Sequence, residues 1–561
     1  MFPVDQREIV NSIKKGSHFL IEQQLSDGRF EGILSSMTFP TCALAWVQIA
    51  QGNSVSSPLI NWLEKQRLAD NQWALDTSRI PNQNATEFAQ LILSQTTQTE
   101  IPPKIPQLGL IKLAYAHLKQ LNWSKVIPPP IAIFVVRTIT TLLPQLSKWV
   151  KPPRHLLPSP DFFYSAKFKK LFVAEKQTLV PCMILIETHT KNRRHVITDL
   201  LDWMFSCRLA DGSWFRVNYI TALSALAMIE AKKHFPELVK EDYISTAISW
   251  LEQTQNLDGG CREALNLNVW DTALSTIALA GLDNENSLTK QLQASSRWIM
   301  KQQSNDGGWA FSGLADFRTS NSTAKILSDA DDTALSTLAL ILSLAPHEIK
   351  QNQSIKKGIS WLVENQSPDG SWSTYVPGEG DMGCTSITAH AIETLLAFGG
   401  YEPQINKGVD WLRKTITPEG YWSDLWLSQF TYGTSCAIVA LAKAGYADCI
   451  EVRQGKNWLE LAQNENGGWG EDMFGRRLDH STVEQTAWST YALLQTTKEE
   501  EISPSIKRGL RFLLDQQNHD GSWPTSCVGI YWEIIGGYED PIYSSVFPLL
   551  ALNSYYQKIV C

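Results

Sequence analysis

The chain has 561 residues, 43% hydrophobic and 19% charged, with a net charge of -8. No apolar stretch runs uninterrupted for the 18 or so residues of a spanning helix, and the basic residues form no long runs, which argues against a membrane span and against a nucleic-acid partner. The nine cysteines (42, 182, 207, 261, 384, 436, 449, 527 and 561) stand singly, without the CxxC pairs of a zinc site, and read as buried or free thiols of a reducing cytosol.

In chain order, the opening "MFPVDQREIVNSIKKG" lacks the charged and apolar regions of a signal peptide. Weak copies of an internal repeat follow in "IEQQLSDGRF" (21–30) and "WLEKQRLADNQW" (62–73). From about 100 to 195 the repeat lapses into Pro-rich segments such as "VIPPPIAIFVV" and "WVKPPRHLLPSPDFF", where Lys148, Lys151, Arg154, Lys167, Lys169 and Lys170 flank apolar residues. Two readings stand for this region: docking on an anionic membrane face, or irregular packing between domains. The repeat resumes at 203–214 and 250–261. It becomes strict at Gln303–Trp309, Gln366–Trp372, Gln463–Trp469 and Gln517–Trp523, each with Gln six positions before Trp and Gly between, and a looser copy lies at 411–422.

Each copy follows an amphipathic segment such as "IKKGISWLVENQ", with apolar residues at helical spacing, and most precede an Ala-rich apolar helix such as "DTALSTIALAGL" (271–282). The Gly is expected to end the helix in a left-handed cap. The Trp should fold back to anchor that end, and the Gln to satisfy exposed backbone groups. Stacked helix pairs of roughly 50–60 residues close into an α/α toroid. The expected fold is therefore all-α, with two α/α barrels: residues 1–20 plus 275–561 forming one, and 21–274, including the Pro-rich region 100–195, forming the other.

The stretch "ILSDADDTALSTLAL" (326–340) places Asp329, Asp331 and Asp332 at the start of an inner helix. One reading is a capping cluster with the remaining acids solvated. Three acids exceed what a cap needs, however, and carboxylates crowded in an apolar cavity keep at least one proton, because like charge and desolvation both oppose ionisation. A protonated Asp facing a dry, aromatic-lined cavity is a Brønsted acid suited to an alkene.

The Gln-Gly-Trp repeats resemble the QW motifs of the squalene-hopene and oxidosqualene cyclases, and Asp329-Ala-Asp331-Asp332-Thr-Ala resembles the DxDDTA signature of class II terpene cyclases. "GGWGED" (467–472), "EQTAW" (484–488) and "SVFPLLALNSYYQ" (545–557) extend the likeness over nearly the whole chain. The resemblance implies Asp331 as proton donor, Asp329 and Asp332 as its hydrogen-bond partners, and His390 in "SITAHAIE" as the group that sharpens its acidity. It further implies Trp270, Phe311, Tyr375, Trp426, Phe430 and Trp532 as substrate-binding positions, aromatic faces stabilising a migrating cation without trapping it. Trp309, Trp372, Trp469 and Trp523 are assigned to scaffold. Departures from the squalene-hopene pattern are Phe430 in place of a tyrosine, Gly536 and Asp540 in place of two aromatics, a longer link between Phe311 and Asp329, and a shorter one after Tyr375.

The implied activity is Asp-initiated cyclisation of a linear polyprene, squalene-like or a meroterpenoid precursor, to a polycyclic terpenoid, an isomerase reaction needing no cofactor. The alternative substrate is geranylgeranyl or farnesyl diphosphate with the diphosphate retained, in which case Mg2+ is required. A protein prenyltransferase subunit would need a zinc site, and a non-enzymatic repeat binder leaves the acid triad unexplained. The implied partner is a hydrophobic isoprenoid, with no nucleic acid; monotopic membrane association and a homodimer are further expectations. The implied location is cytoplasmic, peripheral on the cytoplasmic membrane face.

Overall fold

The computed structural model describes residues 5–96, 159–171, 173–282, 287–313, 326–375, 383–497, 502–531 and 536–560. It is helical, apart from two short antiparallel ribbons, Trp469–Glu471 with Arg477–Thr482 and Gly529–Tyr531 with Gly536–Tyr538. Six inner helices, Asn268–Leu282, Ala330–Ser343, Thr385–Phe398, Gln429–Leu441, Val483–Gln495 and Pro541–Val560, pack each on the next, and the last returns to the first. Residue 275, the expected domain boundary, lies inside the first of these helices. Around them stand amphipathic outer helices. Gln353–Glu364, for example, buries Ile355, Gly358, Ile359, Trp361 and Leu362 and exposes its other face, whereas Ala330–Ser343 is buried without a break from Ala330 to Ile341. A stripe of apolar residues faces inward in the first case and all sides are covered in the second, as the two sequence patterns require.

A second group of helices packs Val173–His189, Asn218–His234, Thr38–Ala50 and Gln83–Thr96 side by side, with Arg194–Ser206, Glu241–Gln253 and Ser57–Lys65 outside. The Pro-rich segment lies largely outside the described residues, and its docking reading with it. Among the described residues no helix is long and apolar enough to cross a membrane. The eight described cysteines are free, and no group of His, Cys, Asp and Glu among the described residues is arranged to hold a metal ion.

The repeat residues form one recurring set of bonds. The indole N–H of Trp309, Trp372, Trp422, Trp469 and Trp523 donates to the carbonyl ten residues upstream, at 2.7–2.8 Å. The Gln amide bridges two carbonyls: Gln303 donates to Gly307 and to Ser354 of the next outer helix, both at 2.8 Å, and Gln517 donates to Gly521 and to Ser12 of the Gln6–Glu22 helix, both at 3.0 Å. The glycine role differs from the expected one. Gly307 has φ +95°, but it closes a turn beyond the Thr289–Gln302 helix, its amide donating to Ser304, and is not a helix cap. A threonine completes the set, its hydroxyl accepting the Trp amide: Thr333 for Trp309, Thr388 for Trp372, Thr434 for Trp422 and Thr486 for Trp469, at 2.9–3.0 Å. An acid two positions after the Trp, or after Cys261 in its place, caps the preceding inner helix: Glu263 accepts from the Tyr219 amide, Asp424 from Ser386 and Glu471 from Phe430 and Thr431. Inner helices that present no N-cap side chain of their own are thereby satisfied from the neighbouring repeat.

Candidate active site

Asp329 is the N-cap of the Ala330–Ser343 helix, its Oδ1 accepting the Asp332 amide at 2.8 Å. Its own amide donates to Trp309 (2.8 Å) and that of Ala330 to Thr374 (2.8 Å), so loops from two successive repeats strap the acidic turn in place. The cap reading is thus correct for Asp329 and insufficient for the other two acids. His390, on the adjacent Thr385–Phe398 helix, places Nδ1 at 2.6 Å from Asp331 Oδ1, while its Nε2 faces Cys436 Sγ at 3.9 Å. Thr394, one turn on, donates to the Ala334 carbonyl at 2.9 Å and fixes the register of the two helices.

All four groups are buried, and Asp331, at 8% exposure, is the most open of the three acids. Burial, reinforced by the charges of Asp329 and Asp331, pushes Asp332 well above the carboxylate range, so it holds a proton. Burial likewise pushes Asp329 up to about 7, although the Asp332 amide works in the other direction. Burial opposes charge on His390, but the Asp331 carboxylate outweighs it and raises the imidazole above its ordinary value.

The triad opens on an aromatic-lined cavity. Of the expected positions, Asp329, Asp331, Asp332, Trp270, Phe311, Tyr375 and Trp426 line it, and His390 stands behind Asp331. Phe430 does not line it: its ring stacks on Tyr421 at 4.3 Å, and Tyr432, two residues on and so on the opposite side of the helix, faces the cavity instead. Trp532 lies outside the described residues. Trp270 and Tyr432 flank His390, with ring centres 6.2 and 6.3 Å away.

Sequence reasoning missed Phe215, Tyr432, Tyr538 and Tyr543 on the wall, and a second acid pair beside it. The buried Asp271 hydrogen-bonds Asp540, with the Gly32 amide donating to Asp271 at 2.8 Å. Burial raises both, Asp271 well above its usual range and Asp540 to about 6. A signal existed: "WDTALST" (270–276) and "DDTALST" (331–337) align so that Asp271 occupies the repeat position of Asp332. Asp540 was visible as a departure, without a partner to explain it. Phe215 and Arg216 have φ +58° and +53°, two consecutive non-glycine residues in the left-handed region, at a cost of roughly 1–3 kcal/mol each. Arg216 offsets this by donating to Ser312 Oγ (2.6 Å) and the Gly313 carbonyl (2.7 Å) and pairing with Asp211 (3.4 Å).

Residues 266–380 and 378–557 match the squalene-hopene cyclase C-terminal domain family, and 173–313 match the prenyltransferase alpha-alpha toroid domain. A squalene–hopene cyclase of Bradyrhizobium diazoefficiens is 30% identical over 51% of this chain and 48% of its own length. One of Alicyclobacillus acidocaldarius is 30% identical over 65% of this chain and 62% of its own length. The chain thus spans about half to three-fifths of the curated relatives it matches. The solved structure of an ent-copalyl diphosphate synthase from Streptomyces platensis superposes on 98% of this chain and 99% of its own, with a TM-score of 0.56 at 16% identity, a likeness of fold.

Proposed function

Because this chain belongs to the squalene-hopene cyclase family, we propose that it is a class II terpene cyclase in which Asp331 protonates the terminal alkene of a linear polyprene folded in the cavity. The Asp331–His390 contact of 2.6 Å, at the wall of an aromatic cavity and beside a neutral Asp332, carries this reading. Asp331, a carboxylate at rest, first takes the proton held by Asp332; its O–H bond then breaks as a C–H bond forms at the terminal carbon, and the tertiary cation is attacked by the next double bond. The imidazolium of His390 pairs with the carboxylate left behind, a charge-assisted bond that is stronger after transfer than before it. Asp332 and Asp329, in the same turn and raised by burial and by the charge of Asp331, resupply it from solvent after turnover. Trp270, Phe311, Tyr375, Trp426 and Tyr432 offer ring faces to the cation as it migrates. Loss of a proton or capture of water ends the sequence.

An uncharged polyprene, squalene-like or bearing an aromatic head, suits the cavity better than a diphosphate, since none of the described lining residues is a lysine or arginine. Such a substrate resides in a bilayer, so the reading includes its uptake by the protein at a membrane face. The test is to incubate wild type and Asp331→Asn with squalene, a prenylated phenol and geranylgeranyl diphosphate, with and without Mg2+, and to analyse extracts by mass spectrometry. An isomeric or hydrated product absent from the folded variant supports the reading. Equal product from both proteins overturns it, and turnover of the diphosphate alone, dependent on Mg2+, replaces the substrate.

A further inference from the structure

We propose that Phe215 sets the length of polyprene the cavity accepts, held in place by the Arg216 tether. This rests on the cyclase reading and adds to it the part of the wall that measures the chain. The helical group containing Asn218–His234 contributes few side chains to the cavity before Leu267, and apart from Glu263 the others are small: Ala174, Val217 and Ala264. Phe215 is the large one. Its ring meets Phe311 and Tyr375, which come from the repeats carrying the acid triad, with centre distances of 6.0 Å to each and interplanar angles of 52° and 63°. Three rings therefore converge where the two helical groups meet, and the Phe215 ring is the only one of the three supplied from the far side.

The backbone beneath it is specialised for that placement. A phenylalanine in an ordinary extended or helical conformation would point elsewhere, and a bulky aromatic residue stays in the left-handed region only where its surroundings hold it. Here they are held across the junction. Arg216 reaches Ser312 Oγ and the Gly313 carbonyl, one and two residues after Phe311, and Ser312 in turn donates to Asn266 at 2.8 Å. The same bonds that fix Arg216 thus fix the spacing between Phe215 and Phe311. A strained loop that does no more than connect two helices would be relieved by glycine at little cost to the cell; this one aims an aromatic ring into the substrate cavity.

The experiment compares wild type, Phe215→Gly, Phe215→Tyr and Arg216→Gly with two linear polyprene hydrocarbons, squalene and one shorter by two isoprene units. Glycine accepts the left-handed conformation, so Phe215→Gly removes the ring without backbone strain; because that ring is buried, retention of the fold is checked by circular dichroism before turnover is compared. The ratio of kcat/KM for the longer over the shorter substrate is expected to rise by about tenfold or more in Phe215→Gly, within the range by which a pocket discriminates chain increments. It should rise less in Arg216→Gly and stay near wild type in Phe215→Tyr. A ratio within about twofold of wild type in Phe215→Gly, with Asp331-dependent product still formed, overturns the length role and leaves the cyclase reading intact. If no substrate gives product, the cyclase reading falls separately, and dissociation constants of the two polyprenes from tryptophan quenching decide: a shift of their ratio in Phe215→Gly supports the length role, and an unchanged ratio overturns it.

Discussion

Replacing Gln463 by alanine tests whether burial sets what the glutamine bridge between neighbouring repeats contributes to stability. Gln463 is 8% exposed; its amide donates to the carbonyls of Gly467 (2.8 Å) and Ser505 (2.9 Å), and its own carbonyl accepts from Ser505 Oγ (2.7 Å) and from the Arg508 guanidinium. A neutral hydrogen bond contributes about 0.5–1.5 kcal/mol net, and a buried group deprived of its partner costs about 1–3 kcal/mol. Alanine removes all four bonds and strands two buried carbonyls, so the expected loss is about 3–4 kcal/mol. Gln517 makes the same pair of amide bonds, to Ser12 and Gly521 at 3.0 Å, in a half-buried setting where water replaces the lost donor. Its alanine variant should lose only about 1–2 kcal/mol. Urea unfolding followed by tryptophan fluorescence measures both. Equal losses, or a loss below about 1 kcal/mol at Gln463, would refute the idea that burial of this bridge sets its contribution.

His390→Gln keeps a donor toward Asp331 but removes the charge, exchanging a charged hydrogen bond for a neutral one, a difference of about 1–2 kcal/mol and so about 5- to 30-fold in kcat. Because the folded imidazole is raised, its charge is complete below its ordinary value and lost as pH rises through the raised one. Wild type should therefore show an alkaline fall in kcat that His390→Gln lacks, and the same fall in both would assign it to another group. Asp540, raised to about 6, binds its proton more tightly folded than unfolded; the stability it contributes is full below about pH 4 and lost as pH rises through about 6. Asp540→Asn should then unfold at higher temperature than wild type at pH 8, with the advantage gone at pH 4, as calorimetry at the two pH values would register.

What the sequence disclosed and what it hid divide along a physical line. The spacing of Gln303, Gly307 and Trp309 repeats because each copy makes the same local bonds, so the helix-pair unit and the all-α fold were legible from period alone. The acid triad was legible because its three residues adjoin in one turn. His390 was assigned through resemblance, since 59 residues separate it from Asp331 and only stacking of successive inner helices joins them. The Asp271–Asp540 pair and Phe215 depend on closure of the ring and on the junction between the two helical groups, contacts that no local pattern encodes. Phe430 illustrates the opposite failure: a motif match named the position, but the helix turns that side chain toward Tyr421. The glycine of each repeat belongs to a turn one step removed from the helix, a distinction that composition alone does not make.

The most direct measurement is turnover of the accepted polyprene by wild-type protein in D2O, with the position of deuterium in the product read by NMR. Proton transfer from an exchangeable Asp331 carboxyl predicts one deuterium on the terminal carbon where cyclisation begins, and no such product from Asp331→Asn. A cyclised product without deuterium at that carbon would contradict initiation by a protein acid.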